Sequence, residues 1–202
     1  MRIGILGSGT GTNCEAIVEA VANGAIPGHV VIVLSDRADA PILERARKRG
    51  IPAKFIGNSL FQHKLEPELE QHAVTLLQEA DVDLVALAGY MRIIKQPMLT
   101  AFRGRILNIH PSLLPAFPGL HAWEQALQYG VKVTGGTVHF VNEGVDTGPI
   151  ILQDTVPVLP TDTPATLHQR IQVIEHKLYP AAIRLFAEGK LRIVDRRVEI
   201  LP

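Results

Sequence analysis

Short apolar runs alternate with segments of helical periodicity in the first half of the chain, and this alternation limits the possible folds more than any other feature. The predicted strands cover residues 2–6, 30–34, 53–56, 84–88 and 106–108, and the predicted helices cover 13–22, 40–49, 68–79 and 97–102. Runs such as VVIVL at 30–34 are apolar throughout, which is typical of strands buried on both faces of a parallel sheet. The order therefore predicts an α/β fold with a single doubly wound, mostly parallel, Rossmann-like sheet.

The second half of the chain has a different pattern. Longer strands are predicted at 136–141 and 149–158 around the turn-rich stretch NEGVDTG. A long helix is predicted at 164–188, followed by weaker strand-like segments. Because no stretch has the composition of a linker, we predict an antiparallel C-terminal addition to the sheet and a single domain over 1–202.

The charge balance limits the classes of partner. The chain has 20 basic and 20 acidic residues, whereas nucleic-acid and anionic-membrane surfaces usually show an excess of Lys and Arg. We therefore expect small-molecule partners, no nucleic acid and no membrane. The first strand begins at once, without an apolar leader, which indicates a cytoplasmic protein.

The cysteine and histidine content fits a reducing compartment and shows no pattern typical of a metal site. Cys14 is the only cysteine, so an intramolecular disulfide is impossible and a reducing compartment fits. Near the start of a predicted helix, Cys14 could be a reactive thiol, but we favour a small residue that packs the helix on the sheet. The histidines form neither an HExxH motif nor a Cys/His cluster, so we expect no metal site.

A glycine-rich loop, GSGTGTN at 7–13, joins the first strand to the first helix. This order suits an anion cradle, because backbone N–H groups and the helix dipole both favour a phosphate. The dinucleotide pattern is incomplete, since Cys14 stands where its last glycine belongs. Asp36 could be the ribose-binding acid of a nicotinamide enzyme or an ordinary turn residue. We favour a monophosphate at Gly11, Thr12 and Asn13, the alternative being a tight turn with Asn13 as helix cap.

The stretch NIHPSLLPAFPGLHAWEQAL at 108–127 contains the residues best suited to catalysis. Asn108 and His110 point to the same face if the strand stays extended, at the edge of the sheet where such folds bind ligands. An amide donor and a titratable ring suit carbonyl activation, and Asp146 in a glycine-flanked turn could stabilise the protonated ring. Each of these residues, taken singly, could instead be structural. Ser112 lacks a nucleophile-elbow context, which favours direct transfer between two substrates.

Several of these runs resemble the folate-dependent formyltransferases. The runs NIHPSLLP at 108–115, VHF at 138–140 and DTGP at 146–149 occur in the order and spacing of that family, with Gly119 and His121 between them. SGTGTN at 8–13, LAGYMRI at 87–93 and QVIEH at 172–176 are similar to the branch that uses glycinamide ribonucleotide. The resemblance covers nearly the whole chain.

The resemblance implies that 10-formyltetrahydrofolate, as co-substrate, donates a formyl group to the primary amine of glycinamide ribonucleotide in purine biosynthesis. The transfer would be direct, through a tetrahedral intermediate and without a metal. The N-terminal part of the domain would bind the ribonucleotide phosphate and the C-terminal part the folate. Asp146 would raise the pKa of His110, so that the protonated ring stabilises the oxyanion.

The same resemblance assigns residues to each role. The implied catalytic residues are Asn108, His110 and Asp146. The implied ribonucleotide-binding residues are Gly11, Thr12, Asn13, Gln172, Val173, Ile174 and Glu175. The implied folate-binding residues are Lys64, Met91, Arg92, Ile93, Ile94, Asn108, Asn142, Glu143, Gly144, Val145 and Asp146. Lys64 departs from an arginine that is often found there, and Ala122 departs from a small hydroxyl residue.

Other functions stay open at this point. They are another folate-dependent formyltransferase, a formyl-folate hydrolase on the same scaffold, a nicotinamide oxidoreductase and a non-catalytic phosphosugar-binding protein. The neutral charge argues against a member that acts on tRNA, because such an enzyme needs a phosphate-tracking surface. The sequence leaves a monomer and a homodimer equally open.

Overall fold

The computed structural model describes residues 1–202, whose strands are hydrogen-bonded in the order β3-β2-β1-β4-β5-β6-β7-β9-β8. The strands are β1 (Arg2–Leu6), β2 (His29–Ser35), β3 (Ala53–Phe55), β4 (Leu84–Leu87), β5 (Ile106–His110), β6 (Val133–Phe140), β7 (Ile150–Pro157), β8 (Leu191–Val194) and β9 (Arg197–Ile200). The helices are α1 (Thr12–Ala22), α2 (Pro41–Lys48), α3 (Pro67–Glu79), α4 (Gln96–Ala101), α5 (Ala122–Tyr129) and α6 (Pro164–Ala187). The predicted α/β fold with a mostly parallel sheet and antiparallel C-terminal strands is confirmed.

The chain divides into two compact units, Met1–Asn108 and Ile109–Pro202. In the first unit the strands are parallel, with β1 between β2 and β4. Apolar side chains such as Ile5, Leu34 and Leu84 are fully buried, as continuous apolar strands require. The strand order reverses at β1, so the loops after β1, β2 and β4 meet at the edge where doubly wound sheets bind ligands.

The second unit combines an antiparallel pair with a long helix. Strands β6 and β7 pair from Val133 opposite Pro157, with a register shift between Val138 and His139. Helix α6 begins with a capping box at Thr163 and packs Leu167 and Ile171 on Val156. The weaker strand-like segments after α6 form the hairpin β8–β9, of which β9 pairs with β7. None of the helices combines the length and the apolar character that a membrane span requires.

Most predicted elements are present, with ends displaced by a residue or so, and two differ more. Strand β5 continues to His110 instead of ending at 108, and β6 begins at Val133 rather than at 136. Helix α5 was not predicted, because the prolines at 111, 115 and 118 indicated a stiff loop in this stretch. The helix begins only after the last of them, ends at Tyr129 and is capped by Gly130, whose φ of 82° suits a glycine.

Two further interpretations are settled within the first unit. Cys14 is buried on α1, and burial raises the pKa of its thiol to about 12, so the packing role is confirmed over a reactive thiol. Asn13 lies inside α1 rather than at its cap, which is Gly11, so the interpretation of Asn13 as helix cap is wrong. The prediction of one domain over 1–202 stays a prediction.

Candidate active site

The glycine loop leads into α1 through Gly11, which is the N-cap of the helix. Gly11 has a φ of 81° and, as a glycine, offers no capping side chain. A Cβ at Gly11 would lie 2.7 Å from Cγ1 of Ile42, because α2 packs directly against the loop. Glycine is therefore required at this position by both conformation and space. A helix N-terminus of this kind is suited to bind an anion near Gly11, Thr12 and Asn13.

Strand β5 places Asn108 and His110 on one face. The strand is extended through both residues, and alternate side chains of a strand point the same way. His110 is buried, while Asn108 is half-buried. The condition for a joint role of these two side chains is thus met.

Asp146 is the centre of the predicted catalytic group in the second unit. Its Oδ2 lies 3.3 Å from Nδ1 of His110 and accepts a hydrogen bond of 2.8 Å from the backbone N–H of Gly119. Its Oδ1 lies 3.6 Å from Nε2 of His139. The sequence prediction that Asp146 approaches a histidine is confirmed, and a second histidine is added to it.

The turn that holds Asp146 depends on its glycines. Asp146 has a φ of 53°, in the left-handed region that Asp and Asn tolerate better than most residues. A Cβ at Gly148 would lie 1.7 Å from the carbonyl oxygen of Phe140, so the turn closes against the end of β6. The glycines at 144 and 148 therefore fix where the carboxylate points.

The pKa of His110 reflects two opposing influences. Asp146 raises this pKa, as expected from the sequence, and so does the Phe117 carbonyl, but burial of the ring lowers it more, so the net shift is downwards. The cost of burying a charged ring was not visible in the sequence. Burial also raises the pKa of Asp146, but its contacts with His139, His110 and the Gly119 amide outweigh burial and hold it below the usual value. The resting pair is a carboxylate beside a ring that prefers to be neutral.

The other ring nitrogen of His110 is occupied by the loop that follows β5. Nε2 lies 2.9 Å from the carbonyl oxygen of Phe117, a residue with a φ of 53°. Ser112 is buried and donates a hydrogen bond of 2.5 Å to the carbonyl of Ala116. The hydroxyl of Ser112 thus donates to the backbone of the loop and not to a histidine.

The ribonucleotide residues predicted on the second unit lie on α6. Glu175 is buried, Val173 is exposed, and Gln172 and Ile174 are half-buried. A Cβ at Gly136 of β6 would lie 3.6 Å from Cγ of Glu175 and 3.9 Å from the carbonyl oxygen of His110. Glu175 is therefore brought close to the end of the strand that carries His110.

The folate residues predicted on the second unit form the turn after β6. Glu143, Gly144 and Val145 are exposed. The side chain of Asn142 accepts hydrogen bonds from Oγ1 of Thr147 and from the N–H of Gly144, at 2.8 and 3.3 Å. Asn142 thus shapes the turn that presents Asp146.

The residues of the first unit that are predicted to bind folate differ in exposure and in their contacts. Lys64 is exposed, with Nζ 4.4 Å from the centre of the Phe61 ring. Met91 is half exposed, Ile93 is half-buried and Ile94 is buried. Arg92 is engaged in an ion pair with Asp36, whose carboxylate is 2.6 Å from Nε. Asp36 is consequently neither a simple turn residue nor an available ribose ligand.

His139 is the site residue that sequence reasoning missed. It lies in an apolar strand, where a single histidine is readily taken for a structural residue. Its Nδ1 lies 2.8 Å from the carbonyl of Phe140, which leaves Nε2 towards Asp146. A polar residue inside the otherwise apolar VHF run was the available signal. No group of three or more His, Cys, Asp or Glu side chains is arranged to hold a metal ion.

Comparison with known proteins shows the family of this chain. The formyl transferase family matches residues 1–183. The chain is 43% identical over 196 residues to the phosphoribosylglycinamide formyltransferase of Escherichia coli, covering 96% of this chain and 90% of that protein. It is 44% identical over 192 residues to the human trifunctional purine biosynthetic protein adenosine-3, of whose length it spans only 19%. The crystal structure of glycinamide ribonucleotide transformylase 1 from Symbiobacterium toebii superposes with a TM-score of 0.96 at 57% identity, covering 100% of this chain and 94% of that one.

Proposed function

This chain belongs to the formyl transferase family, and we propose that it transfers a formyl group from 10-formyltetrahydrofolate to the amine of glycinamide ribonucleotide in purine biosynthesis. The relatives from E. coli and S. toebii bear names of that activity and match this chain over most of both lengths. The single observation that carries the proposal is the His110–Asp146 pair, 3.3 Å apart, at the end of the strand that also carries Asn108. These are the groups that an acyl transfer needs for a proton and for an oxyanion.

The reaction requires one proton to move. As the amine attacks the formyl carbon, a C–N bond forms and the carbonyl oxygen becomes an oxyanion. The bond from the formyl carbon to the folate nitrogen then breaks. The amine loses a proton and the folate nitrogen gains one, so a single base that returns its proton balances the reaction.

His110 is the base that the geometry supports. A resting ring whose pKa is lowered is neutral near pH 7 and can accept the amine proton. The tautomer with hydrogen on Nδ1 donates to Asp146 and turns the lone pair of Nε2 to the substrate. Asp146 then stabilises the transient imidazolium, and Asn108 together with the charged ring stabilises the oxyanion. Asp146 acts on the charged intermediate rather than by keeping the resting ring protonated.

Access to Nε2 requires a rearrangement of the loop after β5. The carbonyl of Phe117 occupies this nitrogen at 2.9 Å, so bound substrate has to replace it. Holding amine and formyl group together beside His110 then supplies the proximity term, worth up to about 7–11 kcal/mol in well-oriented reactions.

The remaining residues bind the two substrates in this proposal. The N-terminus of α1 binds the phosphate, and Gln172, Val173, Ile174 and Glu175 contact the ribonucleotide. Lys64, Met91, Arg92, Ile93, Ile94 and the turn from Asn142 to Asp146 surround the folate. We also propose a cytoplasmic location, with a monomer and a homodimer both compatible.

The first test is to mix the purified protein with glycinamide ribonucleotide and 10-formyltetrahydrofolate and follow the deformylated folate by absorbance. Folate release that depends on the ribonucleotide is the expected result. Release without it would identify the hydrolase alternative, and release with a different amine would identify another formyltransferase. No release with both substrates present would contradict the proposed function.

A further inference from the structure

A buried network joins the loops that follow β1, β2 and β4. Ser8 comes just after β1, Asp36 directly follows β2, and Arg92 lies in the segment after β4. Oδ1 of Asp36 accepts a hydrogen bond of 2.5 Å from Oγ of Ser8, and Oδ2 accepts one of 2.6 Å from Nε of Arg92. Both carboxylate oxygens are therefore engaged, although nothing in the proposed reaction uses Asp36.

The network reaches the backbone of the segment predicted to bind folate. Oγ of Ser8 accepts a hydrogen bond of 2.9 Å from the N–H of Met91, the residue before Arg92. Further along, the N–H of Lys95 donates to the buried carboxylate of Glu70 at 2.6 Å. The segment 91–95 is thus tied at its start by Asp36 through Ser8 and Arg92, and at its end by Glu70.

The same arginine reaches a second folate segment. Nη1 of Arg92 donates to the carbonyl of Phe61, in the exposed loop that contains Lys64. Within that loop Oγ of Ser59 bonds to the carbonyls of Phe61 and Lys64, at 3.2 and 3.1 Å. A displacement of Arg92 is therefore transmitted to the backbone at Lys64.

We propose that Asp36 is a positioning residue for folate binding. It fixes Arg92, and through Arg92 the folate-binding segments, without itself contacting the folate. The inference rests on the proposed function. The side chain of Arg92 is 13% exposed, and its guanidinium is bonded to Asp36 and to the Phe61 carbonyl, so it sets the positions of 91–94 and of Lys64 around the folate. A rigid support of this kind matters because small misplacements of binding groups are costly.

The competing interpretation is that the pair only stabilises the fold. Asp162 and Arg170 supply a matched control, since they form a similar pair with two hydrogen bonds of 2.8 Å at the start of α6, outside the predicted site. Both ion pairs should contribute to stability, but only the Asp36–Arg92 pair should affect folate binding. A rise in the folate KM that occurs only when this pair is broken would distinguish a positioning role from a purely structural one.

The experiment compares Asp36→Asn with Asp162→Asn in steady-state assays with both substrates. For Asp36→Asn we expect KM for 10-formyltetrahydrofolate to rise about tenfold, with KM for the ribonucleotide and kcat within about twofold. Asp162→Asn should leave all three constants unchanged. Equal changes in both KM values, or no change in either, would overturn the proposal.

A double-mutant cycle tests the route through Lys64. Lys64→Gln should raise KM for the folate in the wild-type background but have a smaller effect in Asp36→Asn, because the lysine is already displaced. Additive effects would overturn the link to that loop. If Asp36→Asn does not fold, Ser8→Ala removes the contact with Met91 and leaves the ion pair, and a higher folate KM is again expected.

Failure of the inference can be told from failure of the proposed function. Binding of tetrahydrofolate, measured by calorimetry, requires no turnover. Weaker binding to Asp36→Asn than to wild type supports the positioning role even if formyl transfer to glycinamide ribonucleotide is absent. Equal binding to both proteins refutes it even if wild-type transfer is fast.

Discussion

Asp146 is a partly buried carboxylate and Asp36 a buried one, and both lie beside basic side chains that differ in kind. Asp146 faces His110 and His139 at 3.3 and 3.6 Å, whereas Asp36 bonds to Arg92 at 2.6 Å. An imidazole gains or loses a proton near neutral pH, while a guanidinium keeps its charge. The first pair can therefore take part in proton transfer, and the second can only hold position.

The surroundings of the two carboxylates reinforce this difference. The side chain of Asp36 is 2% exposed and that of Asp146 is 12% exposed. Asp146 lies in a turn with a left-handed backbone, and the ring of His110 that it faces also contacts the carbonyl of Phe117. Asp36 has short bonds to groups of the same unit. The longer contacts of Asp146 with the two histidine rings suit proton transfer, whereas the short hydrogen bonds of Asp36 suit a structural support.

The largest expected effect comes from removing the titratable partner. His110→Ala should lower kcat by at least about 10²–10³, because it removes both the base and an oxyanion donor. Ribonucleotide-dependent folate release measures the loss, and circular dichroism checks the fold. The matched control is His72→Ala on the exposed face of α3, which should keep wild-type kcat. Wild-type turnover in His110→Ala would contradict the role of His110 as the base, and with it the difference drawn between Asp146 and Asp36.

Replacing Asp146 by asparagine tests the electrostatic role alone. Asparagine tolerates the left-handed backbone and can still accept the Gly119 N–H, so we expect a smaller loss of kcat, about 10- to 100-fold. Loss of the carboxylate removes the influence that raises the pKa of His110, so that pKa should fall further below its ordinary value. The limb of the pH–rate profile that reports His110 should therefore move to lower pH. An NMR titration of His110 showing an unchanged or higher pKa would contradict this account.

The first half of the fold was predictable because strands such as β2 and β4 contain continuous apolar runs that are followed by a glycine or a polar loop. Helix α5 was not, since the prolines before it outweighed the helical character of AWEQALQY. Asn108 and His110 could be grouped from spacing alone, because strand periodicity requires only that β5 stay extended.

Contacts between distant residues could not be predicted in this way. Asp36 and Arg92 are separated by 56 positions, and no local pattern indicates that they meet. His139 was overlooked because its role depends on a turn that returns Asp146 to β6. The net lowering of the His110 pKa could not be predicted because it depends on burial, which follows from packing of the whole unit.

A smaller effect is expected at Gly136, which lies between Glu175 and the end of β5. A methyl group there would make ordinary contacts of 3.6 and 3.9 Å, so Gly136→Ala should fold normally. It would narrow the space beside Glu175 and raise KM for the ribonucleotide about three- to tenfold, leaving KM for the folate unchanged. At Gly135 the same methyl would lie 1.9 Å from the carbonyl oxygen of Asp154, so Gly135→Ala should lower the melting temperature instead. A folate-selective change at Gly136 would contradict the assignment of Glu175.

The smallest kinetic effect is expected from Asp162→Asn. This substitution breaks the ion pair with Arg170, which belongs neither to the Asp146 site nor to the Asp36 network. Asp162 accepts hydrogen bonds of 2.8 Å from Arg170, of 2.7 Å from the N–H of Leu159 and of 2.9 Å from Oγ1 of Thr166, so it stabilises the start of α6. Its loss should lower the melting temperature by about 2–4 °C in a chain of this size, with both KM values unchanged. Calorimetric unfolding and the steady-state assay measure the two quantities on one preparation. A folate KM that rose as far as in Asp36→Asn would mean that any loss of stability weakens folate binding, and the distinction between a supporting and a merely stabilising carboxylate would be lost.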